Sequence, residues 1–350
     1  MSRQRPTSHD VARRAGVSRT TVSLVLNDVP DVQISQQTRE HVRQAARELN
    51  YFPDATARRL VKGNSRTLAL VWHRGPDATY RDSFLPGFLQ GISRGAQHYG
   101  YHVLFRPMDP DEPSKGYVEL VRGHHADGLI LSGPRDDDTD LIELHRDGFP
   151  LVLHGQFLGT PIPSVDVDNV RGARIAVEHL LSLGHRRIGM ITNAPLAYTA
   201  SQQRLEGYRQ ALEAAGIPFD ETLVTEGNFD ERSGQAGMDR LLSLAGPPGA
   251  VFIASDTIAI GALLAIRNRG LVVPKDVAIV GFDDVTAARF VSPALSTVHV
   301  PAFGLGWSAA EVLIRIIEHD PPREIPVLLE TELVIRESCG ARPAPQSGRS

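Results

Sequence analysis

The chain has 350 residues, of which 41% are hydrophobic and 22% are charged, values typical of a globular protein with two or three domains. No apolar run is long enough to span a membrane, and the N-terminus has no apolar signal core. The single cysteine, Cys339, excludes a disulfide framework and a cysteine metal site. These features predict a cytoplasmic protein.

The net charge of −4 conceals two parts of opposite sign. Residues 1–66 hold 12 Lys and Arg against 6 Asp and Glu, whereas the remainder holds 25 against 35. A small basic segment joined to a larger acidic one indicates that the first part binds a polyanion. Chance clustering on a solvated surface is the alternative interpretation.

The stretch Ser8–Leu60 begins with the pattern of a helix-turn-helix. A short helix at 10–15 has Ser8 placed to cap it, Gly16 suits a turn with positive φ, and Ser18 caps a second helix. Apolar residues face inward from the second helix, and its outer face presents Arg19, Thr20, Ser23 and Asn27. A polar outer face with an Arg at the helix start suits a DNA major groove, although an ordinary helical hairpin has the same spacing.

A third helix is predicted at Gln36–Leu49, capped by Ser35. The stretch 54–60 has helical composition but only two turns, which makes it marginal without a packing partner. We therefore assign a helix-turn-helix DNA-binding domain to residues 1–52 and a hinge helix with linker to 53–66.

From Thr67 onward, apolar strands alternate with helices, which predicts doubly wound parallel sheets. More than 200 residues of this kind indicate two similar lobes, the second opening near Val165. The last predicted elements are a strand at Leu295–Val300, a helix at Phe303–His319 and a strand at Val327–Ile335. We assign an effector-binding body to 67–340 and a tail to 341–350. The first lobe is expected at 67–164 and 295–322, the second at 165–294 and 323–340.

Two sets of motifs together carry a resemblance to one family. In the first part they are Asp10-Val11-Ala12, Ala15-Gly16-Val17-Ser18, Thr21-Val22-Ser23 and Leu26-Asn27; in the body they include Asp168-Asn169, Leu183-Gly184-His185-Arg186-Arg187-Ile188 and Gly281-Phe282-Asp283-Asp284. The chain thus resembles the lactose-repressor (LacI/GalR) family of bacterial transcription regulators along nearly its whole length. The resemblance implies an all-α helix-turn-helix headpiece and a two-lobed, periplasmic-binding-protein-like α/β body. The loop from Asn27 to Ser35 is longer than is usual in the family.

The resemblance also implies a homodimer bound to a pseudo-palindromic double-stranded operator, with base readers at Arg19, Thr20 and Leu24. Arg19 can donate two hydrogen bonds to a guanine, whereas Leu24 offers apolar contact or packs within its own domain. Phosphate contacts are expected from Ser18, Thr21, Ser23 and Asn27. In the hinge helix, Leu60 matches a leucine that wedges into the minor groove, and Arg58 stays near phosphates; an ordinary linker helix is the alternative. The tail lacks a leucine heptad, which favours a dimer over a tetramer.

For the effector, alignment with the family places six residues in a cleft between the lobes: Phe84, His154, Arg204, Phe229, Asp256 and Asp283. Carboxylates accept hydroxyl hydrogen bonds, an Arg fork donates to adjacent oxygens, and Phe rings offer flat faces, which suits a polyhydroxylated ligand. Five of the six also have a structural alternative: a turn cap for Asp283, an ion pair for Arg204, core packing for Phe84 and Phe229, and a surface position for His154. We expect a sugar that releases the operator; a nucleoside, purine or phosphosugar corepressor remains open, and no cofactor or metal is implied.

Two other classes of protein fit less well. The sequence has no G-x-S-x-G elbow, no P-loop and no G-x-G-x-x-G after a strand, so an enzyme is disfavoured. The acidic cluster at 136–138 is interpreted as a helix cap and not as a metal site. A secreted sugar-binding protein would share the body but not the basic N-terminal domain.

The hinge hypothesis is tested by Leu60→Ala. Removing the apolar wedge should weaken operator binding while leaving the body folded and effector binding intact. A gel-shift titration measures the operator affinity, and calorimetric effector binding serves as the control. Unchanged operator affinity would show that Leu60 does not contribute to DNA binding.

Overall fold

The computed structural model describes residues 6–27, 32–52, 64–75, 79–109, 115–157 and 159–341. The chain divides into two compact units, Met1–Ser65 and Arg66–Ser350, here called the head and the body. Within the described ranges no helix is both long and apolar enough to cross a membrane.

The head contains the helices α1 (Ser8–Ala15), α2 (Arg19–Leu26) and α3 (Gln36–Glu48). Ser18 and Ser35 cap α2 and α3 as predicted. The prediction that Ser8 caps α1 is wrong, because Thr7 is the cap and forms a reciprocal capping box with Asp10. Ser8 lacks an acidic residue three positions further on, whereas Thr7 has one.

A small apolar core holds the three head helices together. Each helix contributes residues that are almost fully buried, such as Val11 from α1, Val22 and Val25 from α2, and Val42 from α3. Gly16 takes φ 68° at the turn between α1 and α2, as the sequence predicts. Because three short helices form so small a core, the position of α2 depends on a few packed methyl groups.

The described residues of the body form two six-stranded sheets. The first is formed by β1 (Thr67–Trp72), β2 (His102–Pro107), β3 (Gly128–Ser132), β4 (Leu151–His154), β5 (Ser164–Val167) and β11 (Val327–Leu329). Its order is β11-β5-β4-β3-β1-β2, and all paired strands are parallel. It carries α4 (Leu85–His98), α5 (Lys115–Arg122), α6 (Thr139–Arg146) and, from late in the chain, α11 (Ala302–Ile317).

The second sheet is formed by β6 (Ile188–Ile191), β7 (Val224–Thr225), β8 (Ala250–Ile253), β9 (Ala278–Asp283), β10 (Ser296–His299) and β12 (Glu332–Val334). Its order is β12-β10-β9-β8-β6-β7, parallel except for the antiparallel pair of β10 and β12. The helices α7 (Asn169–Ser182), α8 (Thr199–Ala214), α9 (Glu231–Leu242) and α10 (Asp256–Asn268) belong to this lobe.

The structure corrects the lobe boundaries expected from sequence. The predicted single strand 327–335 is two strands, of which β11 joins the first sheet and β12 the second. The sequence assignment placed the chain from Val165 onward in the second lobe and the chain from Leu295 onward in the first. In the structure β5 lies in the first sheet and β10 in the second. Within the described residues the chain therefore crosses between the lobes three times, after β5, after β10 and after β11.

The first lobe depends on a close crossing of α4 and α11. A Cβ at Gly91 would lie 2.1 Å from the carbonyl oxygen of Phe303, and a Cβ at Gly306 would lie 2.0 Å from that of Phe88. Only a missing side chain on each helix permits this approach. The crossing fixes α4, whose first turn faces the end of β4.

Gly306→Ala should therefore lower the free energy of unfolding of the body by about 1–3 kcal/mol, because the added methyl group forces the two helices apart. Gly246→Ala is the matched control, since a Cβ there has only the Arg187 side chain nearby, at 3.8 Å. Chemical denaturation of both variants measures the difference. Equal stabilities would show that the helices can separate without cost.

Candidate functional site

The outer face of α2 presents the residues predicted to read DNA. Ser18, Arg19 and Thr20 are exposed, and Thr21, Ser23 and Leu24 are half-buried. The Ser18 hydroxyl accepts a hydrogen bond from the Thr21 amide at 3.0 Å, which fixes the start of the helix. The exposed start of the helix thus offers a guanidinium and two hydroxyl groups.

Leu24 differs from its apolar neighbours on α2. The half-buried Leu26 packs against the head core, whereas Leu24 is not among the described side chains that do. This arrangement favours the interpretation of Leu24 as a contact residue over that of a packing residue.

Asn27 lies at the end of α2 and does not occupy the outer face. Its side chain is buried, and its Nδ2 donates a hydrogen bond to the Ser23 hydroxyl at 3.2 Å. The prediction that Asn27 faces outward is wrong, because the helix ends at Leu26 and the residue turns inward as its C-cap. The other two predicted DNA residues, Arg58 and Leu60, lie outside the described residues.

A cleft of about 900 Å³, including the part open to solvent, separates the two lobes of the body. It is lined by the carboxyl ends of β1, β3 and β4 in the first lobe and of β9 in the second, together with the first turn of α8. Ligands of open parallel sheets bind at this edge of the strands.

An aromatic group forms the wall of the cleft in the first lobe. The imidazole of His154 lies parallel to the ring of Phe84, with centroids 5.6 Å apart and an interplanar angle of 6°. Its Nδ1 is 2.9 Å from the Ser132 hydroxyl, and the Phe88 ring packs behind it at 4.3 Å. Burial lowers the pKa of His154 to about 3, so the ring is a neutral polar group at neutral pH.

The guanidinium of Arg74 lies in the same wall. It forms an ion pair with Asp82, whose side chain is almost completely buried. It also lies 3.7 Å from the ring centroid of Phe229, which comes from the second lobe. Phe229 in turn meets the ring of Tyr198 edge-on at 5.0 Å. The two walls therefore touch through a cation–π contact.

Arg204 is the main polar group on the side of the second lobe. Its Nε donates to Asn169 Oδ1 at 2.8 Å, and its Nη1 donates to the Ala254 carbonyl at 2.7 Å. The same Nη1 is 3.8 Å from Asp283 Oδ1. Burial lowers the pKa of Arg204, and the neighbouring carboxylates oppose this shift.

Two carboxylates face the cleft near Arg204. Burial raises the pKa of Asp283 to about 6, although Arg204 partly offsets the effect. Burial likewise raises the pKa of Asp166 to about 6, against the hydrogen bond that its carboxylate accepts from the Val167 amide. Both carboxylates line the cleft, and a carboxylate can accept about four hydrogen bonds, which suits ligand hydroxyl groups.

Two residues of the cleft have backbones in the left-handed region. Phe229 has φ 62° and Asp283 has φ 113°. For residues other than glycine such conformations cost about 1–3 kcal/mol each and concentrate at functional sites. They project the Phe229 ring and the Asp283 carboxylate into the cleft.

Comparison with known proteins assigns both units to one family. Residues 7–54 match the bacterial regulatory proteins of the lacI family, and residues 177–339 match the periplasmic binding protein-like domain. The HTH-type transcriptional regulator CelR of Thermobifida fusca is 39% identical over 96% of this chain and 99% of its own. The chain belongs to the lacI family of bacterial regulatory proteins. It is accordingly a DNA-binding, effector-responsive transcriptional regulator and not an enzyme.

Two solved lacI-family structures agree with the fold. The structure described as a transcriptional regulator CelR–cellobiose complex has a TM-score of 0.74 at 36% identity, covering 95% of this chain and 100% of that one. The lac repressor dimer bound to operator and the anti-inducer ONPF has a TM-score of 0.85 at 28% identity, covering 97% and 100%. The two-part architecture predicted from sequence is thus confirmed.

The structure brings most of the predicted effector residues together. Phe84, His154, Arg204, Phe229 and Asp283 all line the cleft. The prediction for Asp256 is wrong, because its side chain is fully buried in the second lobe. Its oxygens accept hydrogen bonds from the Thr297 hydroxyl at 2.7 Å and the Val285 amide at 3.0 Å. Asn228, next to Phe229, is exposed and does not line the cleft.

Several lining residues were missed by the sequence interpretation: Trp72, Arg74, Asp82, Asp166 and Tyr198. Their position at a strand end could have indicated three of them. Trp72 and Arg74 lie at or just beyond the end of β1, and Asp166 lies near the end of β5. Tyr198 and Asp82 precede helices, where their position gives no sign of a ligand contact.

Asp283→Asn tests the electrostatics of the cleft. Because the folded state raises the pKa of Asp283 from 3.8 to about 6, the carboxyl group favours folding most fully below pH 3.8, and this contribution is lost as the pH rises through 6. The thermal stability of the wild type relative to Asp283→Asn should therefore fall between pH 4 and pH 7. Calorimetric Tm values of both proteins measure it, and a difference independent of pH would contradict the raised pKa.

Proposed function

We propose that this lacI-family protein is a homodimeric repressor of carbohydrate-utilisation genes that leaves its operator when a sugar binds in the cleft. The observation that carries the proposal is the cleft between the lobes, with acceptor carboxylates beside flat aromatic rings. A solved relative of 36% identity is described as a complex with cellobiose, and another solved relative is a dimer on operator DNA. The protein would act in the bacterial cytoplasm, at the nucleoid.

On the operator, the exposed face of α2 enters the major groove. Arg19 donates two hydrogen bonds to guanine O6 and N7, which discriminates against other bases by about 1–3 kcal/mol. Thr20 and Leu24 contact neighbouring base edges, and Ser18, Thr21 and Ser23 hold phosphates. Arg58 and Leu60 act at the adjacent minor groove, where the leucine wedges between base pairs.

In the cleft, ligand hydroxyl groups meet groups of matching chemistry. Asp283 accepts hydrogen bonds, Arg204 orients that carboxylate, and His154 offers a neutral ring nitrogen. The flat faces of Phe84 and Phe229 lie on opposite lobes, where they suit the C–H faces of a sugar ring. A ligand that contacts both walls binds one arrangement of the lobes more tightly than the others. Release of the operator requires such a difference in affinity.

Direct contacts between lobes support such coupling. The segment after Pro134 reaches across the cleft, where the Asp136 amide donates to the Ala197 carbonyl at 3.1 Å. Gln202 Nε2 donates to Asp136 Oδ2 at 2.9 Å, and the Arg135 guanidinium lies 5.5 Å from the ring centroid of Tyr198. Since Pro134 and Tyr198 also line the cleft, a bound ligand would act on these contacts.

Asp283→Ala is expected to abolish the effector response while sparing operator binding, because the head keeps its DNA-contacting face. Gel shifts with the protein's own promoter DNA, with and without a panel of neutral sugars and nucleosides, measure both properties. Asp147→Ala, an exposed change in the first lobe, is the control. Normal release of Asp283→Ala would refute the role of this carboxylate, and failure of the wild type to bind any promoter duplex at low salt would refute the function.

A further inference from the structure

Two arginines supply the fixed positive charges of the cleft, and each lies beside a carboxylate. Among the described residues that line it, the arginines are Arg74 and Arg204, and no lysine is present. The carboxylates are Asp82, Asp166 and Asp283. Burial lowers the pKa of His73 and of His154, so neither imidazole adds a cation at neutral pH.

Arg204 already uses two of its five N–H groups within the second lobe and has a carboxylate beside it. Its Nε and Nη1 donate to Asn169 and to the Ala254 carbonyl, and Asp283 lies beside it. Its guanidinium also lies 3.8 Å from the ring centroid of Phe282, which covers one face. An incoming phosphate or carboxylate would have to compete with Asp283 for this group.

Arg74 is the group that could otherwise bind an anion, and Asp82 prevents this. About a fifth of the Arg74 side chain is exposed, whereas only 3% of the Asp82 side chain is exposed. Asp82 Oδ1 accepts hydrogen bonds from the amides of Phe84 at 2.8 Å and Leu85 at 3.1 Å. These bonds hold the carboxylate in place, so Oδ2 remains directed at Arg74.

We propose that Asp82 sets the charge class of the effector: by neutralising Arg74, it makes the cleft accept neutral polyhydroxylated ligands and exclude phosphorylated or carboxylated ones. The inference rests on the proposed function in one respect, namely that the effector binds in this cleft. It narrows that proposal, since it excludes sugar phosphates, sugar acids and nucleotides.

Asp82→Asn isolates the charge from the backbone contacts. The amide oxygen can still accept from Phe84 and Leu85, but the negative charge beside Arg74 is gone. Asp147→Asn is the matched control, because it removes the same charge from an exposed position of the first lobe. The double variant Asp82→Asn/Arg74→Gln tests whether any gain depends on Arg74.

Calorimetric titration of the full chain with inorganic phosphate, cellobiose and its acid, cellobionate, gives the readout. Asp82→Asn should bind phosphate about tenfold more tightly than the wild type, Asp147→Asn should match the wild type, and the double variant should lose the gain. The ratio of cellobionate to cellobiose affinity should rise in Asp82→Asn by a similar factor.

The proposal is wrong if Asp82→Asn binds phosphate no more tightly than Asp147→Asn, or if the wild type prefers cellobionate to cellobiose. Should Asp82→Asn fail to fold, Arg74→Gln replaces it: a loss of phosphate binding in that variant would overturn the proposal, and unchanged binding would support it. Failure of the proposed function would give a different result. Neutral sugars would then not release the operator, whereas Asp82→Asn would still bind phosphate more tightly than the wild type.

Discussion

The buried guanidinium of Arg204 is the interaction on which the cleft depends. A charge removed from water is tolerated only when its hydrogen bonds and its charge are satisfied. The partners of Arg204 come from three separate places: Asn169 at the start of α7, the carbonyl after β8 and Asp283 at the end of β9. Asn169 also donates to Asp166 Oδ2 at 3.0 Å, in the last segment of the first lobe before the chain crosses. One side chain thus joins the first crossing to the strand ends of the second lobe.

Local sequence patterns predicted most of the fold because most of its determinants are local. The alternation of apolar strands and helices predicted from Thr67 onward is present in the structure, and the caps Ser18 and Ser35 were identified correctly. The errors concern pairing between remote segments. Nothing within residues 327–335 reveals that β11 pairs with Val165 and its neighbours while β12 pairs with Thr297 and its neighbours. Sheet membership is decided by partners more than thirty residues away.

The residues of the cleft likewise divide into those with a local sequence signal and those placed by remote partners. Residues at strand ends, such as His154 and Asp283, were predictable because parallel strands direct their carboxyl ends to one edge. Asp256 follows a strand as well, yet its carboxylate turns inward, where the Thr297 hydroxyl and the Val285 amide hold it. Sequence position alone cannot separate these two outcomes, since the direction of a side chain depends on which buried donors need an acceptor. The pairing of Arg74 with Asp82 was missed for a similar reason.

The three crossings between the lobes have a consequence for how the body folds. Each lobe is assembled from separated stretches of chain, and the last two strands of the described body are divided between the sheets. Neither sheet has all its strands until the chain has also passed through the other lobe. We therefore expect the two lobes to unfold together in one cooperative transition. Loss of the chain from Val327 onward would remove an edge strand from both sheets at once, which makes the final segment a structural requirement of the whole regulatory body.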